Sequence, residues 1–370
     1  MLRFHITKKL PAFTLDIALE ASAGVTGMLG PSGAGKTTLL DCIAGLAKPD
    51  AGRIELMGET LFEAATGINR APERRRLGYV FQDPRLFPHM SVAANLDYGQ
   101  AAAGAIKRDD MIDLLDLAPL LDRRPHHLSG GEKRRVAIGR ALLSNPRALL
   151  LDEPLSHLDP GRRYEIMPFL ESLHRQLALP ILYVSHQMDE ILRLSDRVVV
   201  MRAGRSVAAG GVEEVMNRRD VQTLILGQAA READLGSFVD ARLDRQDTAY
   251  GLTEFIIEGG RLTVPHVDKP VGAHVRLRIR ARDVSLALAP PAGLSIQNCL
   301  QARVTQLLPV GPAQAPAQWD IELRLVAAAG ALPLYARITR RAADAMALEP
   351  GKPVWALIKS VALASDWDAD

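Results

Sequence analysis

One stretch constrains this chain more than the rest. Gly30-Pro31-Ser32-Gly33-Ala34-Gly35-Lys36-Thr37-Thr38 fits the pattern G-x-x-x-x-G-K-[ST], with Gly30, Gly35, Lys36 and Thr37 in the fixed places. The apolar run Val25–Leu29 before it predicts a buried strand, and Leu39, Leu40, Ile43, Ala44 and Ala47 after it recur at helical spacing. Strand, glycine loop and helix together can cradle phosphate: glycines let backbone N–H groups close around oxygens, and a helix start adds positive potential. Lys36 can reach the outer phosphates and the Thr37 hydroxyl can ligate Mg²⁺. An ordinary glycine turn is the competing explanation, and it leaves the fixed positions and the flanking elements unexplained.

Composition narrows the class. At 370 residues, 48% hydrophobic, the chain can bury a sizeable core in two or three domains, and a net charge of +2 argues against a dedicated nucleic-acid binder. The basic cluster from Arg70 to Arg76 reads equally well as a solvated loop. Cys42 and Cys299 are far apart and lack metal-ligand spacing, which suits a reducing compartment, and Cys42 sits in the apolar helix as a small core residue. The N-terminus lacks the apolar core of a signal peptide, and no apolar run reaches membrane-spanning length. Work on a membrane would need another chain to span it.

Further along, Leu77–Phe81 is a short strand followed by Gln82, then a loop with two prolines and large apolar residues, Leu86, Phe87 and Met90 among them. The pattern from Val92 to Leu121 is mostly helical. Leu128-Ser129-Gly130-Gly131-Glu132 opens a basic helix; by itself this is most simply an N-cap, yet its N–H groups and the Ser129 hydroxyl can form a second anion site. The buried-strand run Ala148–Leu151 ends in Asp152-Glu153-Pro154. Two acids at the end of an apolar strand are costly unless they face a cleft that holds a cation. Asp152 is placed to hold Mg²⁺ through water, and Glu153 to orient or deprotonate the attacking water. His186 ends the strand Ile181–Ser185, at the sheet edge where α/β proteins bind ligands, and can donate to a γ-phosphate.

Taken in order, Gly30–Thr38, Gln82, Leu128–Glu132, Leu151–Pro154, Ser156–Asp159 and His186 resemble the phosphate loop, Q-loop, signature, acidic strand, D-loop and switch histidine of the ATP-binding subunit of an ABC transporter. The resemblance covers roughly residues 1–230. It implies an α/β P-loop NTPase domain over 1–232, with ATP and Mg²⁺ as cofactors. It also implies a head-to-tail homodimer in which Lys36 of one copy and Ser129 and Gly131 of the other enclose ATP. Asp159 would cross that interface, and Gln82 would sense Mg²⁺ or the attacking water. On the same basis Thr37, Gln82 and Asp152 are the metal candidates, and Glu153, His186 and Gln82 the catalytic ones. Residues Leu86–Met90 would line the groove that receives a helix of a membrane-spanning permease subunit; core filling is the competing reading. Arg134 stands where glutamine is usual, a change expected to matter little, and His157 replaces the usual small D-loop residue. Phe4 and Phe13 are both candidates to stack on adenine.

From about residue 233 short alternating runs replace helical periodicity, with Gly/Pro turns between several of them, as in a small all-β barrel. A linker with an accessory β segment over 233–290 and an OB-like barrel over 291–365 are expected. Ser295-Ile296-Gln297-Asn298, Ile338-Thr339, Leu348–Gly351 and Ile358-Lys359-Ser360 resemble the molbindin-like (TOBE) module that binds molybdate or tungstate. Ser295, Lys359 and Ser360 match its oxyanion-binding groups best, and a purely structural barrel competes about equally. The order of parts resembles the ATPase of a molybdate importer, as do Gly78–His89 and Ile279–Leu286. Sulfate, iron and polyamine importer ATPases are near competitors. The resemblance further implies two permease subunits, an extracytoplasmic substrate-binding protein as indirect partner, and a peripheral place on the cytoplasmic face of the inner membrane. A soluble ABC ATPase of nucleic acid or ribosomes fits less well: Lys36 and Ser129 are too close for a long inserted coiled coil, and there is one cassette where ribosome-type members have two.

Overall fold

The computed structural model describes residues 1–99, 107–156, 158, 161, 163, 166–171, 178–226, 235–310, 317–327 and 333–363. Contacts divide the chain into two units, Met1–Gly210 and Gly211–Asp370. The first holds two sheets. One has the order β2-β1-β4-β5-β6 and is antiparallel, built from β1 (Leu2–Lys9), β2 (Thr14–Ala21), β4 (Ala51–Leu56), β5 (Glu59–Glu63) and β6 (Ile68–Asn69). The other has the order β11-β10-β3-β9-β8-β7, from β3 (Gly24–Leu29), β7 (Leu77–Val80), β8 (Ala148–Asp152), β9 (Pro180–Val184), β10 (Arg197–Arg202) and β11 (Arg205–Gly211). Its run from β10 to β7 is parallel. Strands β8 and β9 are buried at every residue, as expected of parallel strands covered on both faces, which is why they read as unbroken apolar runs.

Helix α1 (Lys36–Ala44) follows the glycine loop, and its Leu39, Leu40, Cys42 and Ile43 share one core with Phe4, Ile17 and Phe62 of the antiparallel sheet and Leu150, Leu182 and Val199 of the parallel one. The fully buried Arg75 closes the far end of α1, donating to the Cys42 and Ile43 carbonyls at 2.9 and 2.7 Å. A cation there complements the helix dipole. The helical pattern expected from Val92 to Leu121 is broken into α2 (Val92–Asp97), α3 (Arg108–Leu114) and a 3₁₀ turn at Ala118–Leu120. Helix α2 stops where Tyr98 turns extended and Gly99 takes φ +79°, the left-handed region that glycine enters without a steric penalty. Helix α4 (Gly130–Leu143) leads to β8, and α5 (Met188–Leu194) follows β9.

The second unit starts earlier than the expected boundary near residue 232. Helices α6 (Val212–Met216) and α7 (Arg219–Leu226) belong to it because Asn217 and Gln222 satisfy the backbone of Phe238 and Gly236 in β12 (Gly236–Asp247). Residues 236–280, expected as linker and accessory segment, form a sheet of order β14-β13-β12-β15-β21, with β13 (Leu252–Ile257), β14 (Gly260–Pro265), β15 (His274–Arg280) and the returning β21 (Ala362–Leu363). A second sheet, β16-β20-β17-β18-β19, is made of β16 (Val284–Ala287), β17 (Asn298–Val310), β18 (Gln318–Leu325), β19 (Pro333–Thr339) and β20 (Pro353–Ile358). Its end strands β16 and β19 touch, so it curls as a barrel does. One core, including Phe255, Leu262 and Leu277 from the first sheet and Val304, Ile321 and Ala356 from the second, joins the two. Neither sheet buries its apolar face alone, so the segment before residue 290 is half of this unit.

Candidate functional site

The candidate residues gather at the C-terminal ends of neighbouring parallel strands. After β3 the loop Gly30–Gly35 turns into α1. Gly35 caps that helix at φ +99°, and a Cβ there would press on Phe13 and Leu15 at 3.3 Å. A Cβ on Gly30 would come within 2.3 Å of the Met201 carbonyl. Pro31, Ser32 and Gly33 are exposed, Ala34 is buried, Thr37 is exposed and Thr38 half-buried. No side chain caps α1, which leaves its first N–H groups for a ligand. Lys36 is buried and folds back on the loop, its Nζ donating to the carbonyls of Gly30 at 2.7 Å and Pro31 at 3.1 Å. Burial pulls its pKa down, while the carboxylates of Glu153 and Asp152 push the other way.

Asp152 ends β8 with 3% of its surface exposed. Burial raises its pKa, and a hydrogen bond from Thr37 opposes the rise. A hydroxyl bonded to a buried carboxylate is a hard-oxygen pair that suits Mg²⁺. Among the described residues no group of three His, Cys, Asp or Glu could hold a metal unaided. An ion here would take its remaining ligands from phosphate and water, as Mg²⁺ commonly does.

Glu153 follows in the left-handed region, φ +46°, with its N–H bonded to the Val184 carbonyl of β9 at 2.9 Å. A non-glycine residue persists in this conformation only where its surroundings impose it. The carboxylate meets two other candidates: Gln82 Nε2 donates to Glu153 Oε2 at 3.2 Å, and His186 Nδ1 lies 3.3 Å from the same oxygen. Among the described residues no bond falls on Oε1. The turn carrying His186 rests on a buried set: Ser185 Oγ accepts from the Gln187 N–H and donates to Glu190 Oε2, which also accepts from the Tyr183 hydroxyl. Burial raises the Glu190 pKa, against the pull of those two hydroxyls.

Ser129, Gly130 and Gly131 open α4, and the bonds of Ser129 run to Glu132 in a reciprocal capping box: the Glu132 N–H donates to Ser129 Oγ at 3.3 Å, and the Ser129 N–H to Glu132 Oε2 at 2.6 Å. His157 and Asp159 lie outside the described residues. Of the two aromatic candidates, Phe4 is 2% exposed in the core, whereas half-buried Phe13 lies beside Gly35. The loop after Gln82 is anchored from below: buried Asn95 bonds both backbone groups of Phe87, and Arg140 donates to the carbonyls of Pro84 and Arg85. Leu86, Phe87 and Met90 are half-buried on it.

Residue-type reasoning missed Arg134. It is 5% exposed and spans from α4 to the turn after β8, donating to the Glu153 carbonyl at 3.0 Å and the Ser156 carbonyl at 2.5 Å. Its only signal in the sequence is the departure from glutamine. In the second unit Ser295, Lys359 and Ser360 are all exposed. Pairing of Asn298 with Ile358 sets Ser295 and Lys359 beyond the same end of the sheet. The Ser360 hydroxyl is engaged, donating to Asp283 Oδ2 at 2.7 Å, and the Lys359 N–H bonds the Asp283 carbonyl.

Comparison with known proteins agrees with this layout. The ABC transporter family model matches residues 15–156 and the TOBE domain model residues 294–364. The chain is 43% identical to the molybdenum import ATP-binding protein ModC of Paramagnetospirillum magneticum over 98% of both chains. It is 45% identical to that of Rhodospirillum rubrum, over 99% of this chain and 98% of the relative. Among solved structures, an ATP-binding cassette of an ABC transporter in its ADP conformation aligns at 26% identity and a TM-score of 0.52, covering 62% of this chain and 99% of the other. The cbiO1 subunit from Clostridium perfringens aligns at 30% and 0.51, covering 62% and 96%. With a phosphate loop, acidic strand end and TOBE region in common order, and near-complete alignment to those relatives, the chain belongs to the molybdenum import ATP-binding family of ABC transporter cassettes.

Proposed function

We propose that this chain hydrolyses ATP to drive molybdate import through separate membrane-spanning subunits. Supporting this is the clustering of Glu153 with Gln82 and His186, one strand away from Lys36, in a chain that aligns end to end with molybdenum import ATP-binding proteins. Among the described residues no helix is long and apolar enough to cross a membrane. In this reading the pore is supplied by partner chains. The loop Leu86–Met90 would meet them at the cytoplasmic face.

In the reaction, the backbone N–H groups of Gly33–Thr38 hold the phosphates and Lys36 leaves its loop carbonyls for the outer ones. Phe13, the half-buried candidate beside Gly35, would stack on adenine. Thr37, Asp152 and Gln82 would hold Mg²⁺, which when bound offsets charge on the phosphate oxygens. Water attacks the γ-phosphorus, the bond to the β–γ bridging oxygen breaks, and ADP leaves. Glu153 Oε1, the oxygen not engaged by Gln82 or His186, accepts the water proton. Positioning and charge neutralisation supply most of the acceleration. A second copy completes each cleft with Ser129 and Gly131, whose capping hydroxyl would turn toward the γ-phosphate, and Asp159 would lie across that interface. In the second unit Ser295, Lys359 and Ser360 are the candidate oxyanion contacts, with molybdate displacing Asp283 from Ser360 and a second copy closing the site.

The test is ATP-dependent uptake by the full chain reconstituted with its permease subunits and binding protein. Molybdate uptake that is abolished by Lys36→Ala and resists excess sulfate is expected. Sulfate uptake without molybdate uptake would remove the substrate assignment, and absence of ATP turnover would remove the motor itself.

A further inference from the structure

We propose that Arg134 is a positioning residue for Glu153, holding the turn that aims the carboxylate from the helix that begins with Ser129–Gly131. This rests on the reading of Glu153 as proton acceptor. The main chain of Glu153 is pinned on both sides. Its N–H is bonded to β9, and its carbonyl accepts from Arg134 Nη1 at 3.0 Å, Ser156 Oγ at 3.0 Å and the Ser156 N–H at 3.1 Å. Arg134 Nη2 reaches on to the Ser156 carbonyl at 2.5 Å and hydroxyl at 3.3 Å. The planar fork of one guanidinium thus ties both ends of a single turn, a geometry that an ammonium does not reproduce. That turn contains the left-handed Glu153, φ +46°. Relaxing it toward commoner backbone angles would swing the carboxylate away from Gln82 and His186.

Burial supports a built contact. A guanidinium 5% exposed must be paired or bonded to be tolerated. Arg134 is bonded, to the two carbonyls and to the Ser156 hydroxyl, while burial lowers its pKa against the opposing pull of Tyr183 and of Glu190, itself 1% exposed. The side chain therefore stands between the supports of two members of the cluster, Glu153 and His186, without reaching the nucleotide loop itself.

The experiment measures steady-state ATP hydrolysis by the full chain and by its Arg134→Met, Arg134→Gln and Glu153→Gln variants. Methionine fills the space without donors, and a misplaced catalytic group is expected to cost about tenfold or more in kcat, with KM for ATP within about twofold of wild type. Glutamine can still donate to the Glu153 carbonyl and is expected to recover kcat to within about threefold. In the Glu153→Gln background Arg134→Met should add almost nothing, since it acts through the group already removed. Wild-type kcat in Arg134→Met, a fall in kcat matched by an equal rise in KM, no recovery in Arg134→Gln, or full additivity with Glu153→Gln each overturns the proposal. Should Arg134→Met fail to fold, Arg134→Lys keeps the charge without the fork and must lose at least about threefold in kcat. Near-normal turnover by Glu153→Gln removes the Glu153 assignment and this inference with it, whereas an inactive Glu153→Gln beside a normal Arg134→Met sinks the inference alone.

Discussion

Replacing Glu153 by glutamine separates binding from chemistry at this site. The change is isosteric, and the left-handed turn with its bonds to Val184, Arg134 and Ser156 involves only backbone groups of residue 153, so the fold should be unaffected. A side-chain amide oxygen in the place of Oε2 can still accept from Gln82 and His186, which lie 3.2 and 3.3 Å away. The amide nitrogen then occupies the place of Oε1, where the water proton is to be received, and cannot accept it. Loss of a positioned general base typically costs ~10²–10⁴-fold, equivalent to about 2.7–5.4 kcal/mol of barrier at 1.36 kcal/mol per decade. Nucleotide binding moves the other way. Glu153 is one of two carboxylates near Lys36, and removing its charge lowers repulsion toward the γ-phosphate, so ATP affinity should hold or tighten. The assay pairs single-turnover hydrolysis with nucleotide binding and size-exclusion chromatography in ATP. The expected result is slow turnover, retained affinity and a trapped closed dimer. Turnover within about tenfold of wild type, with binding intact, would refute the role of Glu153 as base.

Three further outcomes are expected. Thr37→Val removes the hydroxyl bonded to Asp152, and Mg²⁺ titration of ATP hydrolysis should show about 10–100-fold weaker metal dependence; an unchanged titration would detach Thr37 from the metal. Glu190 has a folded pKa raised above the usual 4.5, so the native state binds more protons than the unfolded one. Its contribution is therefore favourable at low pH and is lost as pH rises from about 4.5 through the raised value. Melting curves of Glu190→Gln should lose that part of the pH slope, and identical slopes in the two proteins would exclude Glu190 as its source. Native protein should expose at most one thiol to an aqueous thiol reagent, since Cys42 is fully buried with its pKa pushed up to about 11, while Cys299 is half-buried. Two fast-reacting thiols without denaturant would contradict the packing of α1.

Much of the ATP site was legible because its determinants are local. A glycine loop, an apolar strand ending in two acids and a histidine at a strand end occupy consecutive positions, and parallel strands buried on both faces announce themselves as apolar runs. What escaped depends on contacts between distant residues. Arg134 read as a harmless departure, yet its fork reaches a carbonyl 19 positions away. Phe4 and Phe13 have the same side chain, one in β1 and the other in the turn before β2, and only their packing puts one in the core and the other beside Gly35. The segment before residue 290 looked like a connector because alternation in short strands says nothing about which sheet covers them.

The sequence alone therefore set out the chemistry on offer: a phosphate loop, a hydroxyl and an acid suited to a metal, an acid proposed to act on water, and an all-β C-terminal region. Tertiary structure decided how those groups are aimed: Gln82 and His186 on one oxygen of Glu153, Arg134 behind its backbone, and Asp283 on Ser360. The physical reason is range. Backbone preference and apolar periodicity are written in neighbouring residues, whereas the aim of a buried polar group is set by whichever partners the fold brings to it, and those lie anywhere along the chain.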